Sequence, residues 1–395
     1  MKKWIPGAVT LACDELKEKI RGKKVALMMN TTALDNEGRL LVDVMVQEKW
    51  AEFPFFFGME HGVRGNFYAG DENLTDIDEK TGLKVINLFD AEKYPRFQPP
   101  VELVEQVDAV VFCAQDVGVR HWTYTPWLLL LLESCAAAGK ELIVLDRPNP
   151  IRGDIVEGAP AESKYAGANI LSRFEYPLRH GMTVGELALM YNDTKGFGCN
   201  VTVLKMKGWR RDMWYEDTGL VWVPGSPNMQ DTDTPLFFAA TGLMQSANFS
   251  LGIGTTTPFE YIGYPTFDGD KLAEELNSRD LPGVYFTPKF YMAMTYENPS
   301  EVERKTVLCD GVLIQIYDRN IWRPVTTQLH IMDAINKLFP DKVNFELDVP
   351  NARPRMCTDL ICDKLKNHES LDPVIELWEQ GAEEFKKARE KYLLY

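Results

Sequence analysis

Three groups of ionisable side chains each follow an apolar segment of the kind that forms a buried strand. Glu60, His61 and Arg64 come directly after the run FPFFFGM. The second and third groups follow the apolar segments that end at Ala114 and Leu145, and supply Asp116, Arg120, Tyr124, Arg147, Asn149 and Glu157. If these strands are parallel, all three loops open at one edge of the sheet, where open α/β proteins bind their ligands. The sequence therefore predicts a single polar cleft.

Carboxylates grouped with arginine, histidine and aromatic side chains suit acid–base chemistry on a sugar. A glycosidase needs one carboxyl group that is kept protonated and another that is kept ionised. Trp122, Tyr124 and the phenylalanines offer faces on which a pyranose ring can stack. Retention or inversion at the anomeric carbon depends on whether the carboxyl groups lie roughly 5 Å or 6.5–9.5 Å apart. The sequence leaves that outcome open.

Simpler roles exist for the same residues. Glu60 is also placed to cap a helix or to pair with Arg64, and His61 is a better candidate for a hydrogen-bonding partner than for a metal ligand. Glu133, within an apolar helical segment, is either a buried functional carboxylate or the one solvated position of its helix. No H-x-x-x-H or H-E-x-x-H spacing occurs, so we expect neither a metal nor a cofactor.

The elements that must position these residues alternate between strand and helix. Short apolar strands are predicted at 24–30, 53–59, 83–89, 108–115, 141–146 and 201–209. Helices are predicted at 125–140 and from Thr183, whose spacing to Glu186 fits a capping box. This pattern predicts an α/β fold with a Rossmann-like, doubly wound, mostly parallel sheet. The Pro- and Asp-rich segment 222–235 divides a catalytic domain (1–230) from a smaller α+β domain (231–395) that closes the cleft.

Composition narrows the class of protein. The chain has 395 residues and a net charge of −15, which disfavours a nucleic-acid partner. No apolar stretch is long enough to span a bilayer, so no membrane partner is expected, and the N-terminal segment lacks the apolar core of a secretory signal. The seven cysteines are scattered without a C-x-x-C pair, as expected of free thiols in a reducing compartment. These features predict a cytoplasmic protein.

Six motifs together resemble one bacterial family. They are MEHGVRG (59–65), QDVGVRHWTY (115–124), LDRPNPIRGDIVEG (145–158), LRHGMTVGELA (178–188), GSPNM (225–229) and GTTTPFEYIGYP (254–265). In this order they are similar to the exo-acting β-N-acetylmuramidases of peptidoglycan recycling, the NamZ family. The resemblance implies a Rossmann-like domain, a smaller C-terminal domain, and a cleft between them that removes terminal β-1,4-linked N-acetylmuramic acid from cell-wall fragments. The expected partner is thus an amino sugar or muropeptide derived from the cell wall.

The resemblance also implies roles for individual residues. Glu60 matches the catalytic glutamate of the family, and the second carboxylate is either Glu133 or Glu157. The expected sugar contacts are His61, Arg64, Asp116, Arg120, Tyr124, Arg147, Asn149, Asn228 and Glu260. One departure concerns Ile253, which stands where an arginine is common in the family, the natural partner for the lactyl carboxylate of muramic acid. The competing hypothesis is a non-catalytic sugar- or nucleotide-binding protein, which would tolerate loss of Glu60.

Overall fold

The computed structural model describes residues 8–66, 76–90, 93–94, 97–167, 169–295, 305–347 and 349–395. The first seven residues of the N-terminal segment lie outside this description. Among the described residues, no helix combines the length and the apolar character needed to cross a membrane. All seven cysteines are buried free thiols.

Within the described residues, the N-terminal domain contains six strands and five α-helices. The strands are β1 (Val25–Met29), β2 (Phe55–Gly58), β3 (Lys84–Asn87), β4 (Ala109–Cys113), β5 (Glu141–Leu145) and β6 (Val201–Leu204). The helices are α1 (Cys13–Ile20), α2 (Leu41–Gln47), α3 (Val101–Val104), α4 (Tyr124–Ala138) and α5 (Val184–Lys195). Every strand pair is parallel, and the spatial order is β3-β2-β1-β4-β5-β6. The predicted Rossmann-like, doubly wound sheet is confirmed.

Burial on both faces explains why the strands are continuously apolar. In β2, Phe55 and Phe57 belong to one hydrophobic core, and Phe56 belongs to the core on the opposite face of the sheet. A parallel sheet covered by helices on both sides requires this pattern. Helix α5 begins with the predicted capping box between Thr183 and Glu186, which satisfies backbone donors of its first turn.

The described part of the C-terminal domain contains a small antiparallel sheet and six α-helices. Strands β7 (Tyr261–Tyr264), β8 (Val284–Thr295) and β9 (Lys305–Ile316) are arranged in the order β7-β9-β8. The helices are α6 (Thr234–Thr241), α7 (Gly269–Asn277), α8 (Pro324–Leu338), α9 (Val349–Met356), α10 (Asp359–Lys366) and α11 (Asp372–Arg389). Short 3₁₀ helices lie at Ile170–Ser172, Tyr215–Thr218, Gly242–Ser246 and Glu390–Tyr392. This is the predicted smaller α+β domain.

The two domains are packed together rather than loosely tethered. One hydrophobic core runs from strand residues of the first domain, such as Ala26, to helical residues of the second, such as Phe385. The end of the chain returns to the first domain, where Arg389 donates to the carbonyl of Gly153 at 3.0 Å. The Tyr395 hydroxyl donates to Asp146 at 2.8 Å. The polar loops at the carboxyl edge of the sheet are therefore held by both domains.

Candidate active site

The order of the strands reverses between β1 and β4, and this point marks the crevice of an open α/β sheet. The loop after β1 provides Asn30 and Thr32, and the loop after β4 provides Gln115. The Gln115 backbone amide donates to Thr32 Oγ1 at 2.8 Å and links the two loops across the crevice. Asn30 Oδ1 accepts hydrogen bonds from the backbone and the hydroxyl of Thr32, so its amide group is fixed in orientation.

Glu60 lies beside this crevice, two residues after β2, which is the neighbour of β1. Its side chain is half-buried, and Oε2 accepts a hydrogen bond from Thr123 Oγ1 at 2.8 Å. His61 is buried and adopts a positive φ of 67°, followed by Gly62 at 74°, so the chain turns sharply after Glu60. The apolar strand thus delivers one partly accessible carboxylate at the edge of the sheet.

Arg64 does not pair with Glu60. Its guanidinium donates to both carboxylate oxygens of Asp78, at 2.7 and 2.6 Å, and to Asp43 at 2.8 Å. This ion pair holds the pKa of Asp78 down at about 2, even though burial acts in the opposite direction. We infer that these ion pairs stabilise the chain after Glu60 and that Arg64 is not free to bind a sugar.

The start of α4 also binds a second carboxylate, Asp116. Thr123 binds Glu60, and two residues later Thr125 Oγ1 donates to Asp116 Oδ1 at 2.9 Å. The other oxygen of Asp116 accepts from the Gly118 amide at 2.7 Å. Side chains two residues apart on a helix point to different sides of it. Asp116 is therefore anchored to the same turn of α4 as Glu60, but on a different side of the helix.

Tyr124 is fully buried between these carboxylates. Its hydroxyl donates to the carbonyl of Gly225 in the domain junction. Burial raises the pKa of Tyr124, and the negative charges of Glu60 and Asp116 raise it further, so the hydroxyl stays protonated. Its ring packs edge-on against Trp122, with ring centroids 5.1 Å apart. Tyr124 thus positions the junction loop and offers no open face for the predicted stacking of a sugar.

Three other predicted sugar contacts are buried and bind backbone carbonyl groups. Arg120 donates to the carbonyls of Ala159, Tyr176 and Met356. Arg147 donates to those of Thr32 and Leu34. Asn149 donates to the carbonyl of Met182 at 3.0 Å. We infer that these residues shape the loops of the cleft from behind rather than contact the substrate.

Glu133 is displaced from Glu60 along helix α4. The Cα atoms of Thr123 and Glu133, ten residues apart, are separated by about 15 Å at the rise of an α-helix. Glu133 accepts hydrogen bonds from Arg173 and from the Tyr191 hydroxyl. The geometry does not place Glu133 against Glu60, and its contacts are those of a structural ion pair.

Glu157 forms a buried ion pair that joins the domains. Its Oε1 accepts from Arg179 Nη1 at 2.5 Å, and its Oε2 accepts from the backbone amide of Val325 in α8 at 3.1 Å. The Arg179 side chain is completely inaccessible and that of Glu157 is 6% exposed. Burial lowers the pKa of Arg179, and the charge of Glu157 opposes this shift. Both carboxylate oxygens of Glu157 are therefore engaged in holding the fold together.

Asn228 and Glu260 are the two predicted residues at the domain junction. Both are half-buried, and neither side chain makes a hydrogen bond or ion pair within the part of the chain that the structure describes. Burial raises the pKa of Glu260, and the neighbouring charges of Asp231 and Asp233 raise it further. With Glu60, these are the predicted site residues whose polar groups remain available to a ligand.

Family models match nearly the whole chain. The N-terminal domain of exo-β-N-acetylmuramidase NamZ matches residues 25–233, and its C-terminal domain matches residues 236–395. The chain belongs to the NamZ family. It is 36% identical, over 98% of its length and 91% of the relative's, to the peptidoglycan β-N-acetylmuramidase NamZ of Bacillus subtilis (strain 168).

Two solved structures from Bacteroides fragilis NCTC 9343 have the same architecture. Both are of DUF1343 family proteins, and the comparison covers 98% of this chain and 99% of each of theirs. One has a TM-score of 0.86 at 31% sequence identity, and the other 0.73 at 25%. The arrangement of both domains is therefore that of a NamZ-type protein.

Asn30 and Thr123 are the site residues that sequence analysis missed in this NamZ-family chain. Asn30 is 1% exposed, and its side chain interacts with the Tyr124 hydroxyl, where it opposes the rise in the pKa of that group. A signal for Asn30 was present, because the polar run Asn30–Thr32 follows the first apolar strand directly. Thr123 gave no signal, since only the fold reveals that its hydroxyl reaches Glu60. Ile253, at the position where an arginine is common, is half-buried and packs against the main core.

Proposed function

We propose that this chain is an exo-β-N-acetylmuramidase that hydrolyses the β-1,4 bond of terminal, non-reducing N-acetylmuramic acid in peptidoglycan fragments. The observation that carries the proposal is the match of both NamZ domains along nearly the full chain, together with Glu60 at the switch-point crevice. The relative from Bacillus subtilis is named for this activity. The substrate would be a cell-wall-derived amino sugar or muropeptide, taken up by a bacterial cell and cleaved in the cytoplasm, where free thiols persist.

Glu60 is the proposed catalytic carboxyl group. Thr123 fixes one of its oxygens at 2.8 Å, which aims the half-buried side chain without neutralising it by an ion pair. Hydrolysis breaks the bond between the anomeric carbon and the leaving oxygen, delivers a proton to that oxygen, and adds the hydroxyl of water to the anomeric carbon. Such proton transfer needs a positioned carboxyl group within hydrogen-bond reach of the reacting bond.

Asp116 is the proposed second carboxylate of the site. Sequence reasoning kept Glu133 and Glu157 for this role, but each is held by an arginine away from the first turn of α4. Asp116 is bound by Thr125 of that turn and has no arginine partner among the residues that the structure describes, while His180 Nε2 lies 3.7 Å from its Oδ2. Its negative charge beside the reacting sugar would oppose the positive charge that develops in an oxocarbenium-like transition state.

The domain boundary is proposed to lie between residues 230 and 231, close to Gly225 and Asn228. The carbonyl of Gly225 is fixed by Tyr124 of the first domain, and Glu260 precedes β7 of the second. Gly225 is therefore held against the start of α4, which also binds Glu60. Asn228 and Glu260 would contact the sugar from there.

The test is release of 4-nitrophenol from the β-N-acetylmuramic acid glycoside, with the N-acetylglucosamine glycoside as the specificity control. We expect the wild-type protein to hydrolyse the muramic substrate alone. Asp116→Asn should lower kcat by about 10²-fold or more, and Glu133→Gln should leave kcat within a few-fold of wild type. Hydrolysis of neither glycoside by folded protein would overturn the proposal in favour of a binding protein.

A further inference from the structure

A groove on the C-terminal domain lies between the end of α8 and the end of α10. It consists of two adjoining cavities of about 360 and 510 Å³, whose linings share Asn336, Pro340 and His368. Cavities of this size hold small organic molecules. Neither lining, among the described residues, includes a residue of the candidate active site. The groove is therefore a candidate for a second binding site.

Asn336, in the last turn of α8, is a buried polar residue of this groove. It is 6% exposed and lines both cavities, yet its side-chain amide makes no hydrogen bond within the described residues. Nearby buried positions of α8, such as Met332 and Ile335, are apolar. Buried polar groups are normally paired, because an unpaired one costs free energy. An unpaired amide that faces a cavity points to a ligand that supplies its donor and acceptor.

Opposite charges stand unpaired in the two parts of the groove. Lys366 lines the smaller cavity and Asp341 the larger one, and both are exposed without an ion pair among the described residues. His368, whose imidazole also lacks a partner there, lies where the two cavities meet. The remaining charged residues of the lining already form ion pairs: Asp333, Lys337, Glu346 and Glu369. The groove thus offers a cation in one part, a carboxylate in the other and an amide at their boundary.

The smaller cavity also has an apolar wall. Val343, Phe345 and Leu365 line it, and the last two are buried in the main hydrophobic core. An apolar side chain of a ligand can be buried against this wall, close to the unpaired charge of Lys366. Burial of apolar surface adds affinity that the exposed charges alone would not supply.

Hydrogen bonds to residues outside the groove fix its walls. Asn248 Nδ2 donates to the carbonyl of Lys342 at 3.0 Å, and Asn248 Oδ1 accepts from the amide of Asn344 at 2.6 Å. On the side of the larger cavity, Asp333 accepts from the backbone amide of Leu371 at 3.1 Å. A site that is already formed loses little conformational entropy when a ligand binds.

We propose that this groove binds a short peptide whose two termini are both free. The carboxylate of the peptide lies against Lys366 and His368, and its protonated amino group lies against Asp341. The peptide bond between them pairs with Asn336, whose amide has both a donor and an acceptor. The C-terminal side chain of the peptide packs on the wall at Phe345. A dipeptide or tripeptide is about 7–10 Å long, which suits cavities of these volumes.

The first test is a saturation-transfer NMR titration of the full-length protein with alanyl-leucine, its C-terminal amide and its N-acetyl derivative. We expect a Kd of about 1 mM or below for the free dipeptide. Blocking either terminus should weaken binding by about tenfold or more, because one charge-assisted contact is lost. A free dipeptide that does not bind, or that binds no better than the two blocked forms, would overturn the proposal.

Variants of the exposed charges check which terminus lies where. Lys366→Ala should weaken binding of the free dipeptide by about tenfold and leave the affinity for its C-terminal amide unchanged. Asp341→Asn should weaken binding of the free dipeptide to a similar extent and leave the affinity for the N-acetyl derivative unchanged. Lys387→Ala, at an exposed position of α11 outside the groove, is the matched control and should change none of the three affinities.

A variant of the buried amide tests its role as a ligand-binding group. Asn336→Ala should weaken binding of all three peptides without lowering the melting temperature, because the amide has no partner within the described protein. Unchanged affinities in Asn336→Ala, or equal losses for every peptide in Lys366→Ala and Asp341→Asn, would contradict the proposed site. Peptide binding is measured without a glycoside, so this proposal and the proposed function fail independently.

Discussion

Replacing Glu157 by glutamine separates a structural role from a catalytic one at one of the two residues that the family resemblance offered as the second catalytic carboxylate. Glu157 and Arg179 form an ion pair at 2.5 Å whose members are 6% and 0% exposed. The glutamine side chain of the Glu157→Gln variant is isosteric but neutral, so the Arg179 charge would remain buried without compensation. Removing one partner of a buried ion pair costs about 3–5 kcal/mol. Because the amide can still accept one hydrogen bond, we expect a loss near the lower limit, about 3 kcal/mol.

The assay is urea unfolding followed by circular dichroism, with activity measured on the same preparations. Glu157→Gln should clearly lower the urea concentration at the midpoint of unfolding, while kcat of the folded fraction stays within a few-fold of wild type. The matched control is Glu383→Gln, which removes an exposed partner of Lys386 on α11 and should change the midpoint little. A variant as stable as wild type but without activity would refute this reasoning and assign Glu157 to the chemistry.

Three further predictions concern the crevice and the core. Thr123→Val removes the hydrogen bond to Glu60 but no helix cap, and should lower kcat/KM by about tenfold or more at an unchanged melting temperature. Asn30→Asp keeps the acceptor that Thr32 binds but replaces the buried amide donor beside the Tyr124 hydroxyl, so KM should rise by about tenfold; unchanged kinetics would remove Asn30 from the site. Burial raises the pKa of Asp146 to about 6, above the roughly 3.9 of an unfolded aspartate. The unfolding free energy should therefore fall by about 1.4 kcal/mol per pH unit from about pH 4 to 6 and then level off. Asp146→Asn should abolish this pH dependence of the unfolding free energy, measured by urea unfolding at each pH. A pH dependence that persists in the variant would belong to another group.

The fold was predictable because strands that are buried on both faces are apolar at nearly every position, and this pattern is visible in the sequence. Continuous apolar runs such as the one before Glu60 are typical of strands covered on both faces, and the alternation with helices then indicates a parallel sheet. The Thr183 capping box was also correct, since it depends only on local spacing. The exposure of Met292 on β8 was not predictable, because strand residues look the same in sequence whether or not a helix covers them.

The site was less predictable because sequence shows which residues are polar, not what they are bonded to. Arg120 and Arg147 follow strands as ligand-binding arginines do, but the structure uses them to bind backbone carbonyl groups. The carbonyl groups that these arginines bind lie far away along the chain, so no local spacing in the sequence predicts the hydrogen bonds. Glu60 differs because it lies only two residues after the end of β2, and its role therefore remains the central claim.

The most direct measurement of that claim is the rate of 4-nitrophenol release from the β-N-acetylmuramic acid glycoside by Glu60→Gln compared with wild type. The half-buried side chain, held by a single hydrogen bond from Thr123, should accept the change without loss of folding, to be verified by thermal melting. We predict a fall in kcat of about 10²–10⁴-fold with little change in substrate affinity. A folded Glu60→Gln protein that retains wild-type kcat would contradict the assignment of Glu60 as the catalytic carboxyl group.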